Sequence, residues 1–319
     1  MTGVSQPWHA RRVMTFDGRR DTHIDSPGRD YRTLSLAELF ALEPTDRPKE
    51  SAPAFIPSSY AAFDGRTHAV QRERGSFVTL TSDVDTGDHP LEVIEALVRG
   101  FCGGAAFRIY SSARSKPGDR KWRAIIPLAD PVPFQTWHEA QRAFFSYMGE
   151  LGVQVDRTLR RSAQPVFLPN VPAFHNESGV ALRGADGKPL YYEQATSGTD
   201  APGLRLDTGL IADGIAAVRV ADAAERDAAE ARRAAAGLDK EASGVIAAFN
   251  AQNPLEEMLE KHGYEHGGGD DWKSPMATSG FSTQVADDGQ RWRSLSESDA
   301  AAGIGAASKS GDTRTGDSF

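Results

Sequence analysis

Cysteine is nearly absent from this chain of 319 residues, since Cys102 is the only one. A single thiol excludes an internal disulfide framework and a zinc site built on cysteines. No apolar run approaches the ~20 residues that a membrane-spanning helix needs. The first residues also lack the apolar stretch of a secretory signal. These absences predict a cytoplasmic protein with no membrane partner.

Several catalytic motifs are missing as well. The sequence contains no Gly-x-Ser-x-Gly, no His-Glu-x-x-His and no Gly-x-Gly-x-x-Gly that follows a strand. It also has no Gly-x-x-x-x-Gly-Lys-Ser/Thr loop, which excludes a P-loop ATPase motor. With 36 basic and 44 acidic residues the net charge is −8. A surface that is basic throughout is therefore excluded, and any nucleic-acid site must be a local patch.

The strongest folding signals lie between residues 56 and 175. Apolar patterning there predicts strands at 77–80, 105–110, 122–128, 153–155 and 166–168, and helices at 91–100 and 134–151. The succession is approximately β-α-β-β-α-β, the split ferredoxin-like unit. We therefore predict an α+β fold, similar to RNA-recognition-motif folds, with an antiparallel sheet and both helices on one face.

Changes in composition predict five segments. A short helix from Ser35 to Leu42 is expected near the beginning, because Ser35 and Glu38 have capping-box spacing. The predicted segments are a polar N-terminal extension (1–55), the α+β domain (56–200), a helical linker rich in alanine and charge (201–244), a small α+β module (245–307) and a disordered tail (308–319).

Two carboxylates follow the first predicted strand of the α+β domain. Asp83 and Asp85 are two residues apart, so at a strand end their side chains share a face. Two like charges that close repel each other unless a cation lies between them. Mg²⁺ is typically held by one or two carboxylates plus substrate phosphates. The pair predicts a metal site, and the alternative is turn chemistry or solvated charge.

A basic loop joins the next two predicted strands. Its cations are opposed only by Asp119, and they are Arg114, Lys116, Arg120, Lys121 and Arg123. A basic hairpin facing a dicarboxylate is typical of a site that binds a metal ion and a triphosphate together. The alternative is a flexible surface loop with ordinary lysines and arginines.

A third carboxylate, Asp156, follows the short predicted strand at 153–155. In a ferredoxin-like sheet that strand can return beside the first one. Three carboxylates from neighbouring strands can hold two cations about 4 Å apart. The alternative is that Asp156 caps the turn at Arg157-Thr158.

These elements carry a family resemblance that covers the chain from about Phe55 to Pro172. The matching segments are Ser82-Asp83-Val84-Asp85, 109–115, 120–128, Val155-Asp156 and 163–169, of which Lys121-Trp122-Arg123 with Pro127-Leu128 is the most specific. They resemble the archaeo-eukaryotic primase superfamily, specifically the primase-polymerase domains of phage and plasmid replication proteins.

The resemblance implies a template-dependent nucleotidyltransferase. Its expected cofactors are two Mg²⁺ or Mn²⁺ ions, and its expected partners are nucleoside triphosphates, a single-stranded DNA template and a separate replicative helicase. By the same match, the metal ligands and catalytic residues are Asp83, Asp85 and Asp156, and the nucleotide-binding residues are Ser112, Arg114, Lys121 and Arg123.

One departure from the family pattern supports a second hypothesis. Ala113-Arg114-Ser115 stands where the family has a histidine. Arg114 can bind phosphate in its place, but it cannot act as a neutral ring at pH 7. A protein that keeps the primase fold as a nucleic-acid-binding or recruitment module is therefore the alternative. A relaxase-like nicking enzyme is disfavoured, because the chain has no His-x-His pair.

Aromatic and basic residues adjoin each other in the predicted C-terminal module, which resembles a small module of large phage primase-helicase proteins. The candidates are Trp272, Lys273, Arg291 and Trp292. Such pairs can stack on bases and contact phosphates of single-stranded nucleic acid. The alternative is that both tryptophans fill a small core.

Overall fold

A computed structural model of the chain divides into two compact units, Met1–Asp222 and Ala223–Phe319. It describes residues 6–18, 20–47, 50–116, 118–171, 192–235, 248–268, 270–275, 277, 283–286, 291–294, 299, 306–307 and 314–316. Parts of the predicted domain, linker, module and tail lie outside these residues. No helix among them is both long enough and apolar enough to cross a membrane.

The first unit contains two four-stranded antiparallel sheets. Its strands are β1 (Arg12–Asp17), β2 (Arg32–Ser35), β3 (Pro53–Ile56), β4 (Phe77–Val84), β5 (Arg108–Ser111), β6 (Trp122–Val132), β7 (Val166–Phe167) and β8 (Gln194–Thr196). Its helices are α1 (Leu36–Phe40), α2 (His68–Arg74), α3 (Leu91–Cys102), α4 (Phe134–Glu150) and the beginning of α5 (Gly209–Ala235).

The first 55 residues are not an extension. Strands β1, β2 and β3 join β7 in a sheet of order β2-β1-β3-β7. Val13, Leu36 and Phe55 are fully buried in the main core. The predicted short helix is confirmed as α1, with both bonds of the Ser35–Glu38 capping box present. The sequence of this region reads as polar because its few apolar residues are spread over short, widely spaced strands.

The second sheet has the order β4-β6-β5-β8. Every residue of β4 is buried, which is typical of a strand covered on both faces. Helix α3 passes Gly100, where we expected it to end, and stops at Gly103, whose φ of +58° makes a left-handed C-terminal cap. Helices α3 and α4 pack through Phe101 and Phe144, whose ring centroids are 4.7 Å apart.

The two faces of this sheet have different neighbours. On one face, the guanidinium of Arg99 in α3 lies 5.0 Å from the ring centroid of Phe107, the residue before β5. On the other face, Arg108 donates to the carbonyl oxygen of Leu39 in α1. Tyr110 donates to the carbonyl oxygen of Phe167 in β7 at 2.7 Å. The second sheet therefore lies between its helices and the N-terminal sheet.

The α+β class is confirmed, but the predicted fourth strand at 153–155 does not form. Trp137 and Gln141 of α4 occupy the free edge of β4 instead. The Trp137 indole donates to the Thr79 carbonyl oxygen at 2.9 Å. The Gln141 side chain accepts from the Thr81 amide at 3.1 Å and donates to the Thr81 carbonyl oxygen. These bonds satisfy the backbone groups that a neighbouring strand would otherwise pair.

The predicted linker is partly wrong. Ile211, Ile215 and Val218 of α5 are buried in the core of the first unit. Arg142 of α4 makes two hydrogen bonds of 2.7 Å to the Asp222 carboxylate. The first half of α5 is therefore docked on α4 rather than being a solvated spacer.

The second unit contains a six-stranded antiparallel sheet of order β13-β14-β12-β11-β10-β9. Its elements are α6 (Leu255–Lys261), β9 (Glu265–Gly268), β10 (Asp271–Lys273), β11 (Thr283–Val285), β12 (Trp292–Ser294), β13 (Ala306–Ala307) and β14 (Arg314–Gly316). Strand β14 lies in the segment that we expected to be a disordered tail. Pairing with β12 orders it.

The side-chain cover on the edge of β4 yields a prediction. Gln141→Leu keeps the volume but leaves the buried amide and carbonyl of Thr81 without partners. Because an unpaired buried polar group costs about 1–3 kcal/mol, we expect the free energy of unfolding to fall by about 2 kcal/mol or more. Urea unfolding followed by circular dichroism measures this change.

Gln154→Leu is the matched control, since Gln154 is exposed. A surface substitution of this kind is expected to change stability by no more than about 0.5 kcal/mol. Equal effects of the two substitutions would contradict the proposed role of Gln141.

Candidate functional site

A row of three polar side chains crosses the second sheet where β4 ends. Asp83 of β4 is paired with Arg123 of β6, and Arg123 is paired with Tyr110 of β5. Residues directly opposite one another in neighbouring strands share a face. This row therefore lies on the face that packs against the N-terminal sheet.

Asp83 and Arg123 form a largely buried ion pair. The Nε and Nη2 atoms of Arg123 donate to Asp83 Oδ2 at 3.0 and 2.8 Å. The two side chains are 13% and 12% exposed. Their burial means that this pair is screened by water much less than a surface pair.

The second oxygen of Asp83 has no protein partner. Asp83 Oδ1 is buried and accepts no hydrogen bond from any described residue. Burial raises the pKa of Asp83, Arg123 opposes that rise, and the charges of Asp85 and Asp156 add to it. Asp83 Oδ1 is therefore a buried carboxylate oxygen without a hydrogen-bond donor. The negative charges of Asp85 and Asp156 nearby favour a positively charged partner for it.

The other two predicted ligands are placed differently. Asp85 follows the end of β4 and is exposed. Asp156 lies beside Asp83, because its amide donates to the Asp83 carbonyl oxygen at 2.8 Å. Its carboxylate, however, accepts from the Thr158 amide at 2.9 Å and from the Thr158 hydroxyl at 2.7 Å. Its main chain returns beside β4 as predicted, while its side chain caps the turn.

Two of the predicted metal ligands carry oxygen atoms without a hydrogen-bond donor or exposed to solvent. The unpartnered Asp83 Oδ1 and the exposed Asp85 provide oxygen atoms of the kind that Mg²⁺ and Mn²⁺ bind. Within the described ranges, no three His, Cys, Asp or Glu side chains form a group able to hold a metal ion. The assignment of Asp156 as a third ligand, and of two cations, therefore stays a prediction.

The described residues of the basic loop, 112–116 and 118–121, are held as a defined hairpin. Ser112 is buried and its amide donates to the Lys121 carbonyl oxygen at 2.8 Å. The Ser115 hydroxyl accepts from the Lys121 amide at 3.0 Å, and Asp88 accepts from the Arg120 amide at 2.9 Å. The loop continues β5 and β6 beyond the point where β4 ends, so it lies at the Asp83 end of the sheet.

Two predicted phosphate-binding cations of this loop differ in their surroundings. Arg114 is exposed, and no described carboxylate lies within ion-pair distance of its guanidinium. The ammonium of Lys121 lies 3.7 Å from Asp119. Arg114 is therefore available to an anionic ligand, whereas Lys121 has an internal counter-ion.

The structure adds residues that the sequence reasoning missed. Tyr110 is fully buried beside Arg123, and burial strongly raises the pKa of its hydroxyl. The guanidinium of Arg123 lies 5.7 Å from the ring centroid of Phe167. Both residues fall in segments that carried the family resemblance, but only the pairing of distant strands places them at the site.

The C-terminal candidates do not form a stacking platform. Trp272 and Trp292 are 2% and 7% exposed, and both lie in the core of the second unit. The ammonium of Lys273 lies 3.3 Å from Glu265, and Arg291 is exposed. The two tryptophans therefore fill the small core of this sheet, the alternative stated for them, while the assignment of Lys273 and Arg291 to nucleic acid stays a prediction.

Fold and site together define an α+β protein with a buried carboxylate–guanidinium pair at the mouth of a basic hairpin. No family model matches the chain, and no curated protein matches it. The chain is similar to a solved structure, the AEP domain of the primase-polymerase of cyanophage S-2L, with 14% identity and a TM-score of 0.31. The match covers 60% of this chain and 83% of that domain. A similarity at this level defines neither the fold nor the activity.

The ion pair yields a pH-dependent prediction. Arg123→Gln leaves a buried carboxylate without its partner, so we expect the free energy of unfolding at pH 7 to fall by about 3–5 kcal/mol. The substitution removes the group that lowers the pKa of Asp83, so this pKa, already raised by burial, rises further. The native state then holds a proton at pH values where the unfolded carboxyl has lost it.

The free energy of unfolding of the variant should therefore fall as the pH rises. The stability that protonated Asp83 contributes to the variant is fully present below the ordinary carboxyl pKa of about 3.9. It is lost as the pH rises through the raised pKa of Asp83 in the folded state. The deficit against the wild type should therefore shrink at acidic pH, as measured by urea unfolding across the pH range. Arg205→Gln, which breaks an exposed pair with Asp207, serves as the control and should leave stability nearly unchanged. A deficit for Arg123→Gln that does not change with pH would contradict this account.

Proposed function

We propose that this protein is a template-dependent nucleotidyltransferase, a primase-polymerase of a phage or plasmid. One observation carries the proposal. Asp83, buried and with one unpartnered oxygen, is paired with Arg123 at the mouth of the basic loop. This combination suits a site that takes a divalent cation and a triphosphate together. The resemblance of segments 82–85, 109–115 and 120–128 to primase-polymerase motifs points to the same activity.

The proposed reaction joins a nucleotide to a growing strand. The 3′-hydroxyl of the strand attacks the α-phosphorus of a ribo- or deoxyribonucleoside triphosphate and loses its proton. The bond from that phosphorus to the bridging oxygen breaks, and pyrophosphate leaves. The strand becomes one nucleotide longer, and a single-stranded DNA template selects the base.

Three carboxylates are the proposed ligands of two Mg²⁺ or Mn²⁺ ions: Asp83, Asp85 and Asp156. When bound, such ions lower the pKa of the attacking hydroxyl and neutralise charge on the leaving group. Asp156 can contribute only if its carboxylate leaves Thr158, to which it is hydrogen-bonded. Asp83 and Asp85 are therefore the primary candidates.

The triphosphate is the proposed ligand of Ser112 and of the basic side chains of Arg114, Lys121 and Arg123. Arg114 is exposed and free to bind a phosphate, and Lys121 and Ser112 lie on the same hairpin. The planar donors of Arg123 that now bind Asp83 are equally suited to phosphate oxygens. Tyr110 and Phe167 limit where that guanidinium can lie, because they pack around it.

The proposed cellular location and partner protein follow from the substrates. Templates and nucleoside triphosphates place the protein in the cytoplasm of the cell that carries the mobile element. A replicative helicase is a further proposed partner, because it would supply the single-stranded template that the reaction needs.

Primer synthesis and primer extension with Mn²⁺ test the proposal. We expect incorporation of nucleotides on a single-stranded template. Asp83→Asn or Asp85→Asn should lower activity by more than about a hundredfold, because even residues that only support metal ligands typically contribute 10–100-fold.

Asp207→Asn is the matched control, since Asp207 is an exposed carboxylate that pairs with Arg205. This variant should retain full activity. Robust incorporation by the double variant Asp83→Asn, Asp85→Asn would sink the assignment of the site.

A second candidate function is a primase fold that binds or recruits without catalysis. Two observations favour it: Arg114 stands in the segment where the family has a histidine, and the Asp156 carboxylate is hydrogen-bonded to Thr158. Calorimetric titration with a nucleoside triphosphate and Mg²⁺ separates the two functions. Absence of Mg²⁺-dependent binding at millimolar concentration would favour the recruitment module.

A further inference from the structure

A short turn beside the site presents two arginines to solvent. Arg157 and Arg160 begin and end a single turn of 3-10 helix, Arg157–Arg160, and both are exposed. Side chains three residues apart eclipse each other in a 3-10 helix, and each residue rises about 2.0 Å. The two arginines therefore project from one side of the turn, about 6 Å apart at the backbone.

Neither arginine has a counter-ion among the residues that the structure describes. The nearest carboxylate along the chain, Asp156, accepts two hydrogen bonds from Thr158 inside the turn. Its oxygens are thus engaged with the turn rather than with a guanidinium. In a chain of net charge −8, two adjacent unneutralised arginines form a local positive patch.

The main chain of the turn is fixed to the second sheet. Asp156 donates its amide to the Asp83 carbonyl oxygen at 2.8 Å. Leu159, between the two arginines, is only 4% exposed and packs into the main core. After the turn, Ser162 donates to the carbonyl oxygen of His68 at 2.9 Å. A positive patch on such a support has a defined position relative to Asp83.

The turn and the basic loop lie on opposite sides of β4. Strand β6 and the loop that precedes it flank one edge of β4, and the Asp156 segment lies at the other edge. Asp83 therefore has cations on both sides. The triphosphate proposed above occupies the loop side, which leaves the Arg157–Arg160 side for a different anionic group.

We propose that Arg157 and Arg160 bind the sugar-phosphate backbone of a single nucleic-acid strand and guide it to Asp83. The proposal rests on the function proposed above, and it adds a strand-binding site that is separate from the triphosphate site. Two guanidinium groups on one side of a turn suit neighbouring phosphates of one strand, which they contact without reading its bases.

The test measures the affinity of the full-length protein for a fluorescent oligothymidine of about 20 nucleotides by anisotropy, in EDTA and without nucleotide. Arg157→Gln with Arg160→Gln should weaken binding at least about tenfold. The slope of log affinity against log salt should become shallower by about 1.4, because each single-strand phosphate contact contributes about 0.7. Arg157→Lys with Arg160→Lys should retain most of the affinity, since the charge is kept.

The matched control is Arg99→Gln with Arg205→Gln, two exposed arginines at the other end of the second sheet. This variant should bind the strand within about twofold of the wild type. Circular dichroism and urea unfolding check that each variant is folded.

Unchanged affinity and salt slope in Arg157→Gln with Arg160→Gln would overturn the proposal, as would an equal loss in the control pair. Tighter binding to a duplex than to the single strand would also overturn it. Failure of the proposed function is distinguishable, because it appears as absent triphosphate binding in the wild type while the arginine-dependent binding of the strand remains.

Discussion

The free edge of β4 is the constraint on which the site depends. Backbone amides and carbonyls at a buried edge must find partners, and the strand predicted at 153–155 does not form beside β4 to supply them. Trp137 and Gln141 pair with Thr79 and Thr81, and Asp156 completes the row at Asp83. Because these bonds hold α4 against the sheet and draw the segment after it to the end of β4, they also bring the Arg157–Arg160 turn beside Asp83.

The ion pair at that end of the sheet lowers the stability that an apolar residue would give there, and it leaves an oxygen that a ligand can bind. Asp83 is buried with an unpartnered oxygen, and burial raises its pKa. A fold selected for stability alone would place an apolar residue here, since buried pairs are often replaced without loss. Functional sites commonly retain groups of this kind because their unmet interactions are what a ligand satisfies.

Much of the second sheet was predictable from local patterns. Helices α3 and α4, strands β4 and β6, and the short helix α1 follow apolar periodicity and capping signals, which depend on neighbouring residues. The failures have one cause in common. The sheet β2-β1-β3-β7 and the missing strand at 153–155 both depend on partners far away in the sequence.

For this protein, the sequence by itself determined which residue types meet at the end of β4. Asp83 lies at the end of a buried strand and Asp85 just beyond it, and a basic hairpin leads into Arg123, so strand alternation and hairpin pairing bring them to one end of the sheet. Only the tertiary structure decided which partners these side chains contact. Arg123 binds one oxygen of Asp83, Thr158 binds the Asp156 carboxylate, and the N-terminal sheet covers the face with Phe167. The contacts of Arg123 with Asp83 and Phe167 join segments tens of residues apart, and their geometry follows from packing rather than from any local pattern. The Asp156–Thr158 bonds are local, since they span two residues.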